Sequence, residues 1–318
     1  MMLISMLLKQ IRFLITIGVF AMGLFLCLLG GLKAAEPVSS AKQLPRLKPS
    51  DVAEVMSTFE VRDGFELDLV AAEPLVEDPV AMDFDAFGRA FVVEMRGYSE
   101  RRPERLGRIR LLQDTNHDGS FDQSQVYAKD LPWPTAVVCY DGGIFVGATP
   151  DIYYFKDIDG DGVADMRRLV FTGFASDSAP YRVDQLNMQA MLNSFRWGPD
   201  NRIHGATGLT GGTVFSPLRP DQSPINLRGK DFSFNPRTFD LRAESGGAQN
   251  GMSFDSRGRK FVCSNSDHLQ YIAYNQAFAG LNPHIRPRSA RISIAEDGPA
   301  APVYRISPDE PWRIVRTD

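Results

Sequence analysis

The sequence predicts an all-β protein, a β-propeller with four-stranded blades that is incomplete in this chain. A pattern of an apolar run, an Asp/Asn/Gly turn and a second apolar run recurs four times. No long stretch with helical periodicity occurs after residue 60. Aromatic residues mark the pattern at intervals of 56, 57 and 57 residues: Phe84, Tyr140, Trp197 and Phe254. Turns of this composition join hairpin strands, and several short strands repeated at a fixed period are typical of propeller blades.

Further strand-like runs complete the first unit, at residues 108–112 and 125–127. We therefore expect the propeller to occupy residues 59–318, as about four blades and the start of a fifth near residue 311. A closed ring of six such blades would need roughly 340 residues, within the usual range of four to eight blades. Either another chain closes the ring, or the chain is a truncated product whose unpaired edges are prone to aggregate.

The N-terminus has the pattern of an export signal. Lys9 and Arg12 precede twenty uncharged residues, 13–32, so residues 1–35 are predicted to be a signal peptide or a membrane anchor. Either outcome places the remainder outside the cytoplasm, in the periplasm or at the cell surface, with membrane contact only through this segment. Residues 36–58 follow as a proline-containing linker with room for a short helix.

Composition and charge exclude several classes of function. The formal net charge is −4 and no Lys/Arg-rich helix is present, which argues against nucleic-acid binding. Of the three cysteines, Cys27 lies in the apolar N-terminal segment, so only Cys139 and Cys263 remain and no disulfide framework is expected. A Cys-x-x-Cys-His motif does not occur, so the sequence predicts no covalent haem site in this chain.

Two aspartate loops share the pattern D-x-[DN]-x-D-G-x-x-D. Alternate carboxylates around a glycine bend converge on one centre, which is the arrangement that Ca²⁺ prefers. Neither loop has the closing Glu of an EF-hand. We therefore expect β-hairpins that are each stabilised by a structural Ca²⁺ ion. The alternative is a pair of solvated turns that bind nothing. The predicted ligands are Asp114, Asn116, Asp118 and Asp122 in the first loop, and Asp157, Asp159, Asp161 and Asp165 in the second.

Strand counting places a central pocket on the face opposite the aspartate loops, where the second-to-third-strand loops and the inter-blade loops lie. Four polar residues are candidates for this face, with solvated or turn-capping roles as the alternative: Arg96, Gln189, Asn250 and His268. His204 lies in a second strand, where a structural role is expected. A small molecule is the expected occupant of such a pocket.

Four segments carry a resemblance to a known family: residues 59–65, 91–98, 197–201 and 249–255. They resemble the N-terminal propeller of a family of predicted membrane-bound dehydrogenases, large exported proteins that often end in a haem-binding CxxCH domain. That family is similar to glucose/sorbosone dehydrogenase propellers. The resemblance covers residues 59–318 and implies an oxidoreductase that acts on sugars or related alcohols and passes electrons to a c-type cytochrome domain or protein.

The sequence departs from the related quinoprotein dehydrogenases at two positions. The resemblance puts a general-base His eight residues before Gly198, where this chain has Ala190, and an Arg near Gly247 or Ala248. Alanine cannot abstract a proton, so quinone binding and catalysis are not supported at these positions. The alternative function is a non-catalytic, calcium-stabilised propeller that binds glycans or proteins.

Overall fold

A computed structural model describes residues 48, 50–176, 186–279, 281, 282, 284, 288–296, 298 and 299. The predicted export segment, most of the linker and the predicted start of a fifth repeat lie outside the described residues. One short helix, α1 (Val52–Met56), precedes the first strand. No helix within the described part of the chain is long and apolar enough to span a membrane.

Blades 1 and 2 are antiparallel meanders of four strands each. Blade 1 consists of β1 (Pro79–Phe84), β2 (Ala90–Glu94), β3 (Gly107–Gln113) and β4 (Gln123–Leu131), with a 3₁₀ helix (Arg102–Glu104) between β2 and β3. Blade 2 consists of β5 (Ala136–Tyr140), β6 (Gly143–Ala148), β7 (Asp151–Lys156) and β8 (Met166–Phe174).

Blade 3 contains an insertion that the sequence repeat did not predict. It begins with β9 (Asn193–Trp197) and β10 (Ile203–Ala206). The chain then leaves this sheet and forms a hairpin from β11 (Gly212–Phe215) and β12 (Ile225–Asn226). The hairpin pairs with β8, which extends blade 2 to six strands. The chain returns to blade 3 as β13 (Asp231–Phe234) and β14 (Leu241–Glu244).

Blade 4 has the order β15-β16-β17-β18. Its strands are β15 (Asn250–Phe254), β16 (Lys260–Ser264), β17 (Asp267–Ile272) and β18 (Arg291–Ser293), with a short helix α2 (Gln276–Ala279) before the last strand. The first strands of consecutive blades contact one another, β1 with β5, β5 with β9 and β9 with β15. The sheets therefore surround a common axis, which confirms the predicted β-propeller with four-stranded blades, four of them within the described residues.

Apolar side chains fill the interfaces between blades. Strands of blades 1 and 2 share one buried cluster, which includes Phe91, Ile109 and Val146. Blades 2 and 3 share another that is rich in aromatic rings, where the Phe234 ring lies 5.1 Å from Phe145, centroid to centroid. Burial of these alternating residues on both faces of each sheet is the main apolar contribution to the fold.

All four aromatic residues of the predicted series end the first strand of a blade, but Tyr140 faces a different neighbour from Trp197 and Phe254. Trp197 and Phe254 face the preceding blade, since Phe254 contacts His204 of blade 3, whereas Tyr140 faces the following blade and contacts Trp197. Two residues separate β5 from β6, but five separate β1 from β2. The shorter turn moves the register of blade 2 by one residue, and Cys139 takes the inward position toward blade 1.

Candidate functional site

A cavity of about 580 Å³ lies where the innermost strands of the four blades converge. Its walls come from the β2–β3 loop, the inter-blade segments, the starts of β5, β9 and β15, and the β16–β17 turn. This is the face on which strand counting predicts a pocket. The lining includes five carboxamide side chains and one guanidinium: Gln189, Asn193, Gln249, Asn250, Asn265 and Arg196.

Hydrogen bonds between blades 3 and 4 hold the floor of the cavity in place. The Asn193 Nδ2 donates to the carbonyl oxygens of Met191 at 2.9 Å and Gln249 at 2.8 Å. The Ser194 Oγ accepts the Gly251 backbone N–H at 3.0 Å. Because the bonds to Gln249 and from Gly251 join β9 to β15 and its flank, the two inner strands are held side by side at the cavity.

The lining is rich in hydrogen-bond donors. The Gln249 Oε1 accepts the Asn265 backbone N–H at 3.0 Å, which fixes this carboxamide and leaves its Nε2 with no partner among the described residues. The side-chain amides of Gln189, Asn250 and Asn265 likewise have no protein partner in the described part of the chain. Amide groups both donate and accept hydrogen bonds, so the surface suits a polar ligand.

Arg196 is the one charged side chain in the lining of the cavity, as far as the described residues extend. It extends from β9, and its Nη1 donates to the Phe195 carbonyl oxygen at 2.9 Å. No carboxylate lies within ion-pair distance of it among the described residues. Arginine stays protonated at all physiological pH values, so it contributes a positive charge and no general base.

Two of the four candidate residues line the cavity and two do not. Gln189 and Asn250 contribute to the wall. Arg96 lies outside it, and its Nε forms an ion pair with Glu77 Oε2 at 3.0 Å. The sequence predicted a loop at His268, but this residue lies within β17. The β16–β17 turn is short, because Ser264 and Asp267 are already paired across the two strands. Functional roles for these residues stay predictions.

Sequence reasoning missed Asn193, Arg196, Gln249 and Asn265 as cavity residues. The repeat contained a signal for one of them, since Asn193 lies 57 residues before Asn250 and takes the equivalent place in its blade. Arg196 follows three residues later on the same inner strand. No equivalent local signal marks Asn265, because the length of the β16–β17 turn decides its position.

Ala190 does not occupy a catalytic position. It is buried, it is not part of the cavity lining, and its carbonyl oxygen accepts the Thr210 Oγ1 hydroxyl at 2.8 Å. A base at this position would face the protein interior in the observed backbone, so proton abstraction from a ligand in the cavity would lack an acceptor here.

The segment that corresponds to the dehydrogenase Arg has a structural role. Buried Asp231 accepts the backbone N–H groups of Gly247 at 3.1 Å and Ala248 at 2.9 Å. A Cβ added at Gly247 would lie 3.0 Å from the Gly229 carbonyl oxygen, at a φ of +79°, and Ala248 is fully buried. The observed backbone therefore disfavours an Arg at either position, and together with Ala190 these residues do not fit a catalytic quinone site.

The second aspartate loop, between β7 and β8, brings three carboxylates together. One oxygen from each of Asp157, Asp159 and Asp165 lies within 4.8 Å of the other two. Asp157 also accepts the backbone N–H groups of Gly160 at 2.7 Å and Gly162 at 2.8 Å, which closes the bend. A donor set of carboxylate oxygens fits a hard cation such as Ca²⁺.

The first aspartate loop, between β3 and β4, has the same backbone pattern. Asp114 accepts the N–H groups of His117 at 2.7 Å and Gly119 at 2.9 Å. Burial raises the pKa of Asp114, but these N–H donors outweigh it and the pKa is lowered below its ordinary value. The Asp122 carboxylate accepts the Thr115 hydroxyl at 2.8 Å, and the four predicted ligands do not form a compact carboxylate group in the described structure.

Contacts with blade 1 hold the second aspartate loop in place. The Asp157 N–H donates to the Tyr127 hydroxyl at 3.0 Å, and the Gln125 Nε2 donates to the Asp161 carbonyl oxygen at 2.9 Å. Desolvation of the buried phenol raises the pKa of Tyr127 to about 12. Both aspartate loops lie away from the cavity, so any bound cation would be structural.

The fold and the cavity define a class of protein, a β-propeller with a cavity among its inner strands. The chain belongs to the family described as Domain of unknown function (DUF7133), whose sequence profile matches residues 51–317. No curated protein matches the sequence.

Two solved structures are similar to the chain. One is the holo form of the pyranose dehydrogenase PQQ domain from Coprinopsis cinerea, with 16% identity, a TM-score of 0.44 and coverage of 67% of this chain and 52% of that one. The other is the calcium structure of Trichoderma reesei Carbohydrate-Active Enzymes Family AA12, with 15% identity, a TM-score of 0.35 and coverage of 64% and 61%. The chain thus spans about half the length of the pyranose dehydrogenase domain.

Proposed function

We propose that the chain is the propeller part of an exported protein that binds a carbohydrate or a related polyol in its axial cavity. The carboxamide-rich lining carries this proposal, because Gln189, Asn250 and Asn265 offer donors and acceptors that match sugar hydroxyl groups. Tyr98 adds an aromatic ring beside these amides, and its ring centroid lies 5.2 Å from that of Trp133. Export is supported by the pattern of residues 1–35.

The cavity favours binding over catalysis by this chain. Its lining contains no Asp, Glu, His or Lys among the described residues. Transfer of a proton or hydride from a sugar needs a base within hydrogen-bond reach. Ligand recognition needs only the shape and the hydrogen bonds that the cavity already supplies.

Gln189→Ala tests the carbohydrate site. We expect affinity for a bound oligosaccharide to fall by roughly 2- to 10-fold, the effect of one neutral hydrogen bond. Isothermal titration with a panel of mono- and oligosaccharides measures it. Gln276→Ala changes an exposed glutamine in α2 that is not part of the cavity lining, so this matched control should bind normally. Absence of binding to any saccharide, or equal affinities for Gln189→Ala and wild type, contradicts the proposal.

We also propose that the aspartate loops bind structural Ca²⁺. The convergence of Asp157, Asp159 and Asp165 supports the second loop as the stronger site. The first loop shares the D-x-[DN]-x-D-G-x-x-D pattern and the backbone hydrogen bonds to its first carboxylate, with Asp114 in the place of Asp157. A cation would reduce the like-charge repulsion among these carboxylates and join β7 to β8.

Calcium is therefore expected to raise the melting temperature. At a free concentration 100 times the Kd, a site that exists only in the folded state stabilises it by about 2.7 kcal/mol. Asp159→Asn should lose most of this gain in differential scanning calorimetry, because one carboxylate of the group is removed. Asp221→Asn, which removes an exposed carboxylate elsewhere, should keep it. A calcium-induced shift of equal size in both variants would show that the ion binds elsewhere.

An oxidoreductase is the second candidate. Two of the four segments that carry the dehydrogenase resemblance, residues 91–98 and 249–255, contribute residues to the cavity. In this candidate the full-length protein oxidises a sugar or related alcohol and passes electrons to a c-type cytochrome domain or protein. Full-length protein assayed with sugars, pyrroloquinoline quinone, Ca²⁺ and an artificial electron acceptor tests it, and no turnover would refute it.

A further inference from the structure

The cavity has a positive charge that no carboxylate neutralises among the lining residues that the structure describes. Arg196 is the charged residue of its lining, and Asp and Glu are missing from that lining among the described residues. Two other basic side chains nearby in the chain form ion pairs with carboxylates. Arg202 pairs with Asp240 at 2.8 Å, and Lys260 pairs with Asp231 at 2.6 Å. Among the described lining residues, Arg196 is the one cation, and it has no carboxylate partner there.

Concave walls strengthen the effect of this charge. Arg196 is exposed to solvent, and the low-dielectric walls of a cleft focus the field of such a charge and attract anions to it. Its planar group of N–H donors matches a carboxylate or a sulfate with two parallel hydrogen bonds. A neutral sugar would leave the charge without a partner.

The neighbouring amides favour an anion as well. The Oε1 of Gln249 is occupied by the Asn265 N–H, so the free end of this carboxamide is a donor. Asn193 uses both its side-chain N–H groups within the protein, and its Oδ1 accepts the Ser194 hydroxyl at 2.7 Å. The acidic loops lie on the opposite face of the propeller, where they cannot neutralise Arg196.

We infer that the axial cavity binds an acidic sugar, with the carboxylate of a uronic acid or the sulfate of a sulfated sugar held by Arg196. This inference rests on the proposed function of the cavity as a carbohydrate site and specifies the class of ligand. Arg196 provides the charge, and the amides of Gln249 and Asn250 bind hydroxyl groups beside the anion.

Arg196→Gln tests the inference in isothermal titrations of the whole chain. The probes are oligogalacturonate, a sulfated galactose oligomer and a neutral galactose oligomer of the same length. We expect Arg196→Gln to weaken binding of the preferred acidic oligomer roughly 10- to 100-fold, the effect of a charge-assisted hydrogen bond. Binding of that oligomer to the wild type should also weaken as salt is raised. Whichever acidic probe binds more tightly shows whether the site prefers a carboxylate or a sulfate.

Two further variants act as controls. Arg196→Lys keeps the charge but loses the planar donor group, so its affinity should lie between those of wild type and Arg196→Gln. Arg257→Gln removes an exposed arginine from the β15–β16 turn and should bind as wild type does. Circular dichroism of each variant establishes that it is folded.

The outcomes separate this inference from the proposed function. Preference for an acidic oligomer, lost in Arg196→Gln and kept in Arg257→Gln, supports the inference. Equal binding of neutral and acidic oligomers, or an Arg196→Gln variant with unchanged affinity, overturns it while the carbohydrate site stands. Failure of all three oligomers to bind overturns the inference, and failure of the wider saccharide panel overturns the proposed function too.

Discussion

Lys260→Met is expected to lower the free energy of unfolding by about 3–5 kcal/mol, the usual effect of breaking a buried ion pair. The Lys260 Nζ lies 2.6 Å from Asp231 Oδ2, with the lysine side chain 9% exposed and the aspartate fully buried. It also donates to the Ser245 carbonyl oxygen at 3.2 Å. Removal of the ammonium group leaves the Asp231 carboxylate charged, buried and without a cation between blades 3 and 4.

Chemical denaturation followed by tryptophan fluorescence measures this loss. Arg259→Met is the matched control, because its ion pair with Asp255 is also 2.6 Å long but lies at the surface. Exposed pairs contribute about 0–1 kcal/mol, so this variant should remain near wild-type stability. Comparable losses in the two variants would show that burial of the Lys260 pair has no special consequence.

Phe234→Ala is expected to cost about 3–5 kcal/mol, the range for truncation of a buried aromatic residue. Phe234 is fully buried, and its ring centroid lies 5.1 Å from that of Phe145 and 5.2 Å from that of Phe171. Both partners belong to blade 2, so the variant opens a cavity in the interface of blades 2 and 3. Rigid β-sheets on both sides limit how far the space can collapse.

Thermal and denaturant unfolding of Phe234→Ala test this expectation. Phe87→Ala removes a ring of the same size from the β1–β2 turn, where the residue is 85% exposed. Surface substitutions of this kind usually change stability by less than about 0.5 kcal/mol. A loss of under about 1 kcal/mol for Phe234→Ala would mean that the interface repacks, against the geometry of the aromatic cluster.

The sequence alone predicted the features that depend on neighbouring residues. Apolar runs identified the strands, and Asp/Gly turns such as that at Asp255 identified the hairpins, since both effects act within a few residues. The aspartate loops could be recognised for the same reason, because carboxylates two residues apart converge wherever a glycine lets the chain bend. The face that carries the cavity followed from counting strands in a meander.

Tertiary structure decided which side chains meet across blades. The short turn at Asp141 moved Tyr140 to the opposite face from Phe254, and the β11–β12 hairpin joined blade 2 although it lies within the sequence of blade 3. The length of the β5–β6 turn sets the first outcome, whereas pairing between strands that are distant in sequence sets the second.

The candidate site shows the same division between local and long-range information. Gln189 and Asn250 were found from their places in the repeat, whereas Arg196 became prominent only when the folded cavity showed a lining without carboxylates. Equally, the sequence alone determined that Ala190 cannot act as a base. Only the structure explained Gly246, which must be small because the Asp231 carboxylate lies against it. Residue type sets the chemistry that each position can perform, and packing between distant segments decides which groups are close enough to act together.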